Sequence, residues 1–340
     1  VPSRLLSPDD VEKILARIPT LTIGVLGDLF LDRYLDLDAA LTEPSLETGL
    51  DAYQVVRVRA YPGAAGTVIN NLAALGVGSI RPLAVIGDDG EGYELRQALA
   101  QLSAVDAAGV FTWPGRRTPT YTKPMLCEAG KAARELNRLD IHNRSLLPAE
   151  AEERVLERLT HDWPVLDGLV VLDQVSQPDC GVVTGRVRRA LAGLTSGRPV
   201  LADSRERIGL FEGVCLKPNV REAERATGLP AEQAAAELAR RCGRAVFCTR
   251  GERGILLLEG GSHTEVPAYP VAGPTDPVGA GDSTSAGIIC ALASGATPAQ
   301  AAAFGNLVAS ITVQQLGTTG TATPAQVRAR ILELESEARP

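Results

Sequence analysis

Seven consecutive residues, Asp276-Pro277-Val278-Gly279-Ala280-Gly281-Asp282, set three small residues and a carboxylate just ahead of an apolar run through Ala286, Ile288, Ile289, Ala291 and Leu292. That order crowds backbone N–H groups at a helix N-terminus beside an acid, an arrangement able to hold a phosphate. Asp282 has two jobs open to it, N-cap of the helix or general base beside a bound anion. A cap does not need Gly-Ala-Gly before it. A backbone that must bend and approach a ligand closely does.

Other residues with chemistry lie where apolar runs stop. Leu21 to Gly27 reads as a buried strand that delivers Asp28 to a loop, with Asp32 a few residues further on. Tyr61-Pro62-Gly63-Ala64-Ala65-Gly66-Thr67 reads as a turn in which Thr67 caps a helix beginning near Val68. Asn219 and Glu222, in Pro218-Asn219-Val220-Arg221-Glu222, are placed to open a helix. Thr249-Arg250-Gly251-Glu252-Arg253-Gly254 ends one strand and starts the next, a hairpin turn. Two common nucleotide signatures are missing: Gly130-Lys131 is followed by Ala132 and lacks the earlier glycine of a phosphate-binding loop, and Gly27-Asp28-Leu29 has no second glycine for a dinucleotide fold.

The elements that must position these residues alternate. Besides the first strand, Leu83 to Ile86, Gly168 to Leu172, Val200 to Asp203, Ala245 to Cys248 and Gly254 to Leu258 read as strands. Helical patterns separate most of them: Val68, Ile69, Leu72 and Leu75, then 151–159, 183–194 and 231–241. Alternation of this kind predicts an α/β fold with a mainly parallel sheet covered on both faces. Asp36 to Tyr61 and Pro119 to Asp140 break the pattern, and apolar residues alternate with polar ones at Val56, Val58 and Ala60. These two segments read as a small β lid over the crevice at the strands' carboxyl ends.

Composition bounds the partners. Length leaves one domain or two open, while 45% apolar and only 4% aromatic residues in the 340-residue chain favour layered helix-on-sheet packing. A net charge of −7 without a basic block argues against nucleic acid or an anionic membrane surface and for a small-molecule ligand. Six cysteines without a Cys-x-x-Cys pair and three scattered histidines predict a reduced, cytoplasmic protein without a structural metal site. Ser294, Gly295 and Pro298 interrupt the apolar run after Asp282 before it could span a membrane. Ser7-Pro8-Asp9-Asp10 before Val11, Ile14 and Leu15 reads as a capped amphipathic helix, not a signal peptide.

The Asp276–Asp282 segment, with the small pair Ala286 and Gly287 beyond it, resembles the signature of the ribokinase-like (phosphofructokinase B-type) carbohydrate kinases. The resemblance runs from about Gly27 to Gly317 and implies one three-layer αβα kinase domain over 1–340 with the lid inserted. It also implies ATP-dependent phosphorylation of a sugar or sugar-derivative hydroxyl. By position it makes Gly279, Ala280 and Gly281 the anion hole for the γ-phosphoryl group and Asp282 the general base. Asn219 and Glu222 would hold Mg²⁺ largely through water, a task suited to an ion that keeps several waters. Thr249, Gly251, Gly254, Asp276, Asn306 and Gly317 would line the nucleotide site, with a monovalent-cation site near the Asp276 loop as a further family feature. The resemblance also allows a homodimer formed through the lid.

Gly27-Asp28-Leu29-Phe30-Leu31-Asp32-Arg33-Tyr34 is similar to the start of the heptose-phosphate kinases of this family, which makes Asp32 the sugar-hydroxyl ligand with Asp28 beside it. Gly63, Ala64 and Thr67 stand where the family has Gly-Gly and a sugar-binding Asn, and Asn71 matches an Asn of the heptose version. Ala64 and Thr67 depart from that pattern, as does Ser176, where those kinases carry a Lys three residues after the strand-end acid Asp173. The departures imply an acceptor other than the heptose phosphate. They also leave room for a catalytically silent sugar or nucleotide sensor of the same fold. A dehydrogenase is a distant third reading.

Overall fold

The computed structural model describes residues 5–194, 197–317 and 319–337. The chain opens with α1 (Pro8–Arg17), whose Ser7–Asp10 capping box follows the predicted N-terminal signature. Strand β1 (Thr22–Gly27) then leads into β2 (Leu29–Pro44), β3 (Asp51–Ala64), α2 (Ala65–Ala74), β4 (Ser79–Gly87), α3 (Gly90–Ala100) and β5 (Val110–Trp113). Next come β6 (Thr120–Cys127), β7 (Arg134–Glu135), β8 (Leu139–Ile141), α4 (Ala149–Asp162), β9 (Gly168–Asp173), α5 (Gly185–Ala192), β10 (Val200–Ser204) and β11 (Cys215–Leu216). The last part holds α6 (Val220–Thr227), α7 (Ala231–Cys242), β12 (Val246–Thr249), β13 (Ile255–Glu259), β14 (Ser262–Val266), α8 (Ala280–Ala293), α9 (Pro298–Thr312) and α10 (Pro324–Glu337).

The main sheet runs β14-β13-β12-β11-β10-β9-β1-β4-β5, parallel from β12 to β5 and antiparallel at the β12-β13-β14 edge. Its two faces are read off the period-two alternation of the strands. Ile23, Val25, Val170 and Leu172 point into one core with α1, α2, α3, α8, α9 and α10, while Leu26, Leu169 and Val171 point into the other with α4, α5, α6 and α7. The layers are therefore helix, sheet, helix.

A second sheet, ordered β3-β2-β6 with β7 and β8 both on β6, makes the lid. It is larger than the sequence suggests. The segment expected to be a loop at Asp28–Asp32 is instead the start of β2, because Leu29, Phe30 and Leu31 are buried and pair with Ala64, Gly63 and Pro62. For the same reason the expected turn at Tyr61–Ala64 is the end of β3. Helix α2 begins at Ala65, whose N–H bonds to the Asp28 carbonyl, so Thr67 lies inside the helix rather than capping it.

Candidate active site

Helix α8 starts at Ala280 with Gly279 in the N-cap position at φ +80°, a left-handed conformation that glycine adopts without the Cβ penalty. Asp282 sits in the first turn, and among the described residues its carboxylate caps nothing. The N–H of Ala280 bonds back to Pro277, whereas no acceptor among the described residues faces those of Gly281 and Asp282. An anion at this turn would therefore meet free donors beside a half-buried acid. Burial raises the Asp282 carboxyl to about 7, the nearby Asp203 charge adds to this, and Lys217 and Arg205 oppose it.

Two charged residues that completed the cluster lie outside the sequence reading. Asp203, next to last in β10, and Lys217, just past the neighbouring β11, form a buried ion pair, Nζ to Oδ2 2.7 Å. Asp203 was findable by the rule that ligands collect at the carboxyl ends of parallel strands. Lys217 had only the signal of a lone cation closing an apolar run before Pro218-Asn219. Glu222 lies in the same field: burial and Asp203 raise its carboxyl while Lys217 and Arg205 lower it.

Asn219 and Glu222 form a reciprocal capping box on α6, Glu222 N–H to Asn219 Oδ1 at 2.9 Å and Asn219 N–H to Glu222 Oε2 at 2.8 Å. The capping reading thus holds, and among the described residues Oε1 of Glu222 accepts no hydrogen bond. A single free carboxylate oxygen fits Mg²⁺ held mostly through its own waters. Thr249 N–H bonds to the Pro218 carbonyl at 2.9 Å, which seats the β12-β13 hairpin with Gly251 and Gly254 against the same segment. Asp276 uses both carboxylate oxygens on the backbone, Oδ1 for the Val278 N–H and Oδ2 for the Gly317 N–H, each at 3.0 Å. Asn306 is buried and its amide donates to the carbonyls of Val266 and Pro267, tying α9 to the end of β14.

On the lid side, Asp32 is carried by β2, and Lys123 on the parallel neighbour β6 reaches its Oδ2 at 3.4 Å. The same ammonium donates to Tyr34 Oη at 3.0 Å and lies 4.7 Å from that ring. Burial raises the Asp32 carboxyl, against the pull of Lys123, Arg138 and Arg205. Gly63 lies on β3 close to this carboxylate; nearby on the lid, His142 meets Phe30 and Tyr121 edge to face and those two rings are tilted against each other, with centroids 5.1–5.9 Å apart.

Three residues of the expected sugar set face inward. Asp28 accepts hydrogen bonds from the backbone N–H groups of Gln174, Val175 and Val182, so its carboxylate anchors the loop after β9 instead of standing open. Burial and the Asp173 charge push it up to about 6. Asn71 is fully buried in α2, donating to the Thr67 carbonyl at 2.9 Å, and Thr67 is buried with it. The inward turn follows from helix phase, since both residues lie on the apolar face with Val68 and Leu72. Ala64 joins β3 to α2 at φ +52°, ψ −116°. Behind it, Asp173 is clasped by Arg207, whose Nε donates to Oδ2 at 3.0 Å, and whose Nη1 reaches the Ser176 carbonyl at 2.8 Å.

The free state of all six cysteines accords with the absence of any Cys-x-x-Cys pair, and no helix among the described residues is long and apolar enough to cross a membrane. Among those residues no three His, Cys, Asp or Glu side chains form a metal cluster.

The chain is similar to solved structures at the level of fold. It superposes on an Arabidopsis thaliana ribokinase complexed with ribose and ATP with TM-score 0.68 and 18% identity, covering 92% of this chain and 98% of that one. Against Escherichia coli phosphofructokinase-2 in complex with substrates and products the TM-score is 0.68 and the identity 18%, covering 93% and 100%. In sequence it is 33% identical to the Bifunctional protein HldE of Trichlorobacter lovleyi over 332 residues, covering 94% of this chain and 65% of the relative. The HldE of Citrifermentans bemidjiense is likewise 33% identical, covering 95% and 66%. The chain thus spans about two-thirds of the length of the curated relatives it matches. The pattern described as pfkB family carbohydrate kinase matches residues 35–326. With its ribokinase-like fold, its Gly-Ala-Gly-Asp turn and that match over most of its length, the chain belongs to the pfkB family of carbohydrate kinases.

Proposed function

We propose that this carbohydrate kinase moves the γ-phosphoryl group of ATP to a hydroxyl of a sugar or sugar derivative, with Asp282 as general base. The observation that carries the reading is Asp282 itself, in the first turn of α8 beside free backbone donors and with its carboxyl near neutrality. A base of that strength can accept the hydroxyl proton as the oxygen attacks in line, and the amides of the Gly279–Gly281 turn face the charge on the phosphoryl oxygens. Asn219 and Glu222 would hold Mg²⁺, which when bound neutralises phosphate charge. Thr249, Gly251, Gly254, Asp276, Asn306 and Gly317 would wall the nucleotide, and a monovalent cation beside the Asp276 loop belongs to the same reading.

Asp32 would orient the acceptor, with Gly63 and Ala64 letting it approach the backbone. Lys123, Arg138 and Arg205 surround Asp32 with positive charge, which favours an acceptor that carries a negative group. The free thiols support action in the reducing cytoplasm. Tyr53, Val55, Val56, Val58 and Tyr61 leave an exposed apolar strand on the lid, which supports pairing of two copies there; light scattering would measure it. The silent-sensor reading draws on Ala64 and Thr67. A coupled ADP-release screen over free sugars, sugar phosphates and nucleosides separates the two: turnover with one acceptor supports the kinase, and ligand binding without turnover supports the sensor.

A further inference from the structure

Strand β2 presents its side chains to two opposite sides of the lid. Asp32 and Tyr34 face the crevice, where Lys123 meets both, whereas Leu31 and Arg33 face the body, Leu31 sharing its core with Ala60 of β3 and Leu95 of α3. On that side Arg33 meets Glu94 of α3, Nη2 to Oε1 2.8 Å. The pair is half made. An arginine closes a two-point fork on a carboxylate when a second nitrogen reaches the second oxygen. Arg59 and Asp36 make such a fork in the same lid, with Nε to Oδ2 3.1 Å and Nη2 to Oδ1 2.7 Å. In Arg33 and Glu94 the corresponding atoms, Nε and Oε2, are both buried and, among the described residues, both without a hydrogen-bond partner. Leaving two charged groups short of a partner is costly, so the pair gains from a small further approach of β2 to α3.

Both roots of the lid are pinned. Three backbone N–H groups hold the Asp28 carboxylate, and Thr118, just ahead of β6, donates its N–H and hydroxyl to Asp89, the N-cap of α3, at 2.8 and 2.7 Å. A tilt about these roots is the motion left to the lid. Because α3 and the crevice lie on opposite sides of β2, a tilt that brings Arg33 fully onto Glu94 carries Asp32 away from Asp282. We propose that Arg33 and Glu94 form a catch that holds the lid in an open seat, Nε meeting Oε2 as the lid tilts back, and that an acceptor on Asp32 must release it. Arg33 is thus a positioning residue that acts through Asp32, and the inference rests on the reading of Asp32 as acceptor ligand. A catch of this kind lowers apparent acceptor affinity by the fraction of time the competent seat is empty.

The test compares two variants of the full chain: Arg33→Lys, which keeps one contact but cannot form the fork, and Glu94→Gln, which loses the charge. With the acceptor that the ADP-release screen identifies, both should lower its KM by about three- to tenfold, while ADP binding stays within about twofold. Their kcat should stay level or fall, since product leaves through an open lid. A pair that merely braces the lid predicts the reverse, a higher KM as Asp32 loses support. An unchanged or raised KM overturns the proposal. Should Glu94→Gln fold poorly in urea titration, Arg33→Lys alone decides. If no acceptor is turned over, the kinase reading fails and the catch is still read, by pulsed hydrogen exchange and mass spectrometry on the free protein. Amides of residues 279–285 should then exchange about two- to fivefold more slowly in both variants, because a released lid covers the crevice for more of the time. Exchange there at the wild-type rate or faster overturns the proposal.

Discussion

The carboxylate of Asp32 fits against the bare Cα of Gly63 on the adjacent lid strand: a Cβ there would stand 2.8 Å from Asp32 Cγ and within 3.0 Å of both its oxygens. Gly63→Ala should therefore push Asp32 aside and weaken acceptor binding as Asp32→Ala does, by about 1.5–3 kcal/mol, the range for hydrogen bonds to a charged group. Since both changes remove one interaction, the double variant should cost little more than either alone. Calorimetry on all three, with ADP as the control ligand, checks this; parallel loss of ADP binding would point to misfolding.

Asp282→Asn should lower kcat by roughly two to four decades while ADP affinity changes little. In the unaltered protein kcat/KM should fall on the acid side with a midpoint near the raised value of about 7, because the base must be deprotonated to act.

The same residue should leave a mark on stability. A carboxyl raised from the ordinary 3.8 to about 7 binds its proton more tightly folded than unfolded, so stability falls as pH rises between those values and stays low above them. Asp282→Asn should then gain roughly 2 kcal/mol or more at pH 8 and little at pH 4, a pKa unit being worth about 1.4. Urea unfolding at the two pH values decides it.

Ala64 occupies φ +52°, ψ −116°, where a side chain is strained and glycine is not. Ala64→Gly should raise unfolding free energy by about 1 kcal/mol despite the greater freedom of the unfolded chain. A loss of stability in denaturant titration would mean that packing of the Ala64 methyl against the Phe30 cluster outweighs the strain.

Arg207 holds Asp173 in a buried two-point pair and also ties down the carbonyls of Val175 and Ser176. Arg207→Met should cost about 3–5 kcal/mol, since it strands a buried carboxylate, and Asp173→Asn with Arg207→Met should recover much of that. Thermal unfolding of the three variants measures the difference.

The sequence was most legible where one local rule governs. Apolar runs placed β1, β4, β9, β10, β12 and β13, and the Gly-Ala-Gly-Asp run located the start of α8. It was less legible where pairing partners lie far apart: Leu29–Asp32 reads as a loop until Tyr61–Ala64, distant in the chain, lines up beside it as a strand. Asp28 and Asn71 show a similar limit, because residue type does not reveal whether a polar group turns toward ligand or toward the backbone. Lys217 was not legible as part of this cluster because its neighbours Asp203 and Gly281 are both distant in the chain.

Strand β2 leaves β1 with only Asp28 between them, so the acid proposed to hold the acceptor rides on the lid while the proposed base stays on α8. An acceptor seated between Asp32 and Asp282 spans both parts at once. Its affinity and the position of the lid then form a single linked equilibrium, and linkage is reciprocal. Whatever stiffens the one-residue joint at Asp28, including its three backbone hydrogen bonds, must change how tightly the acceptor is held without touching it.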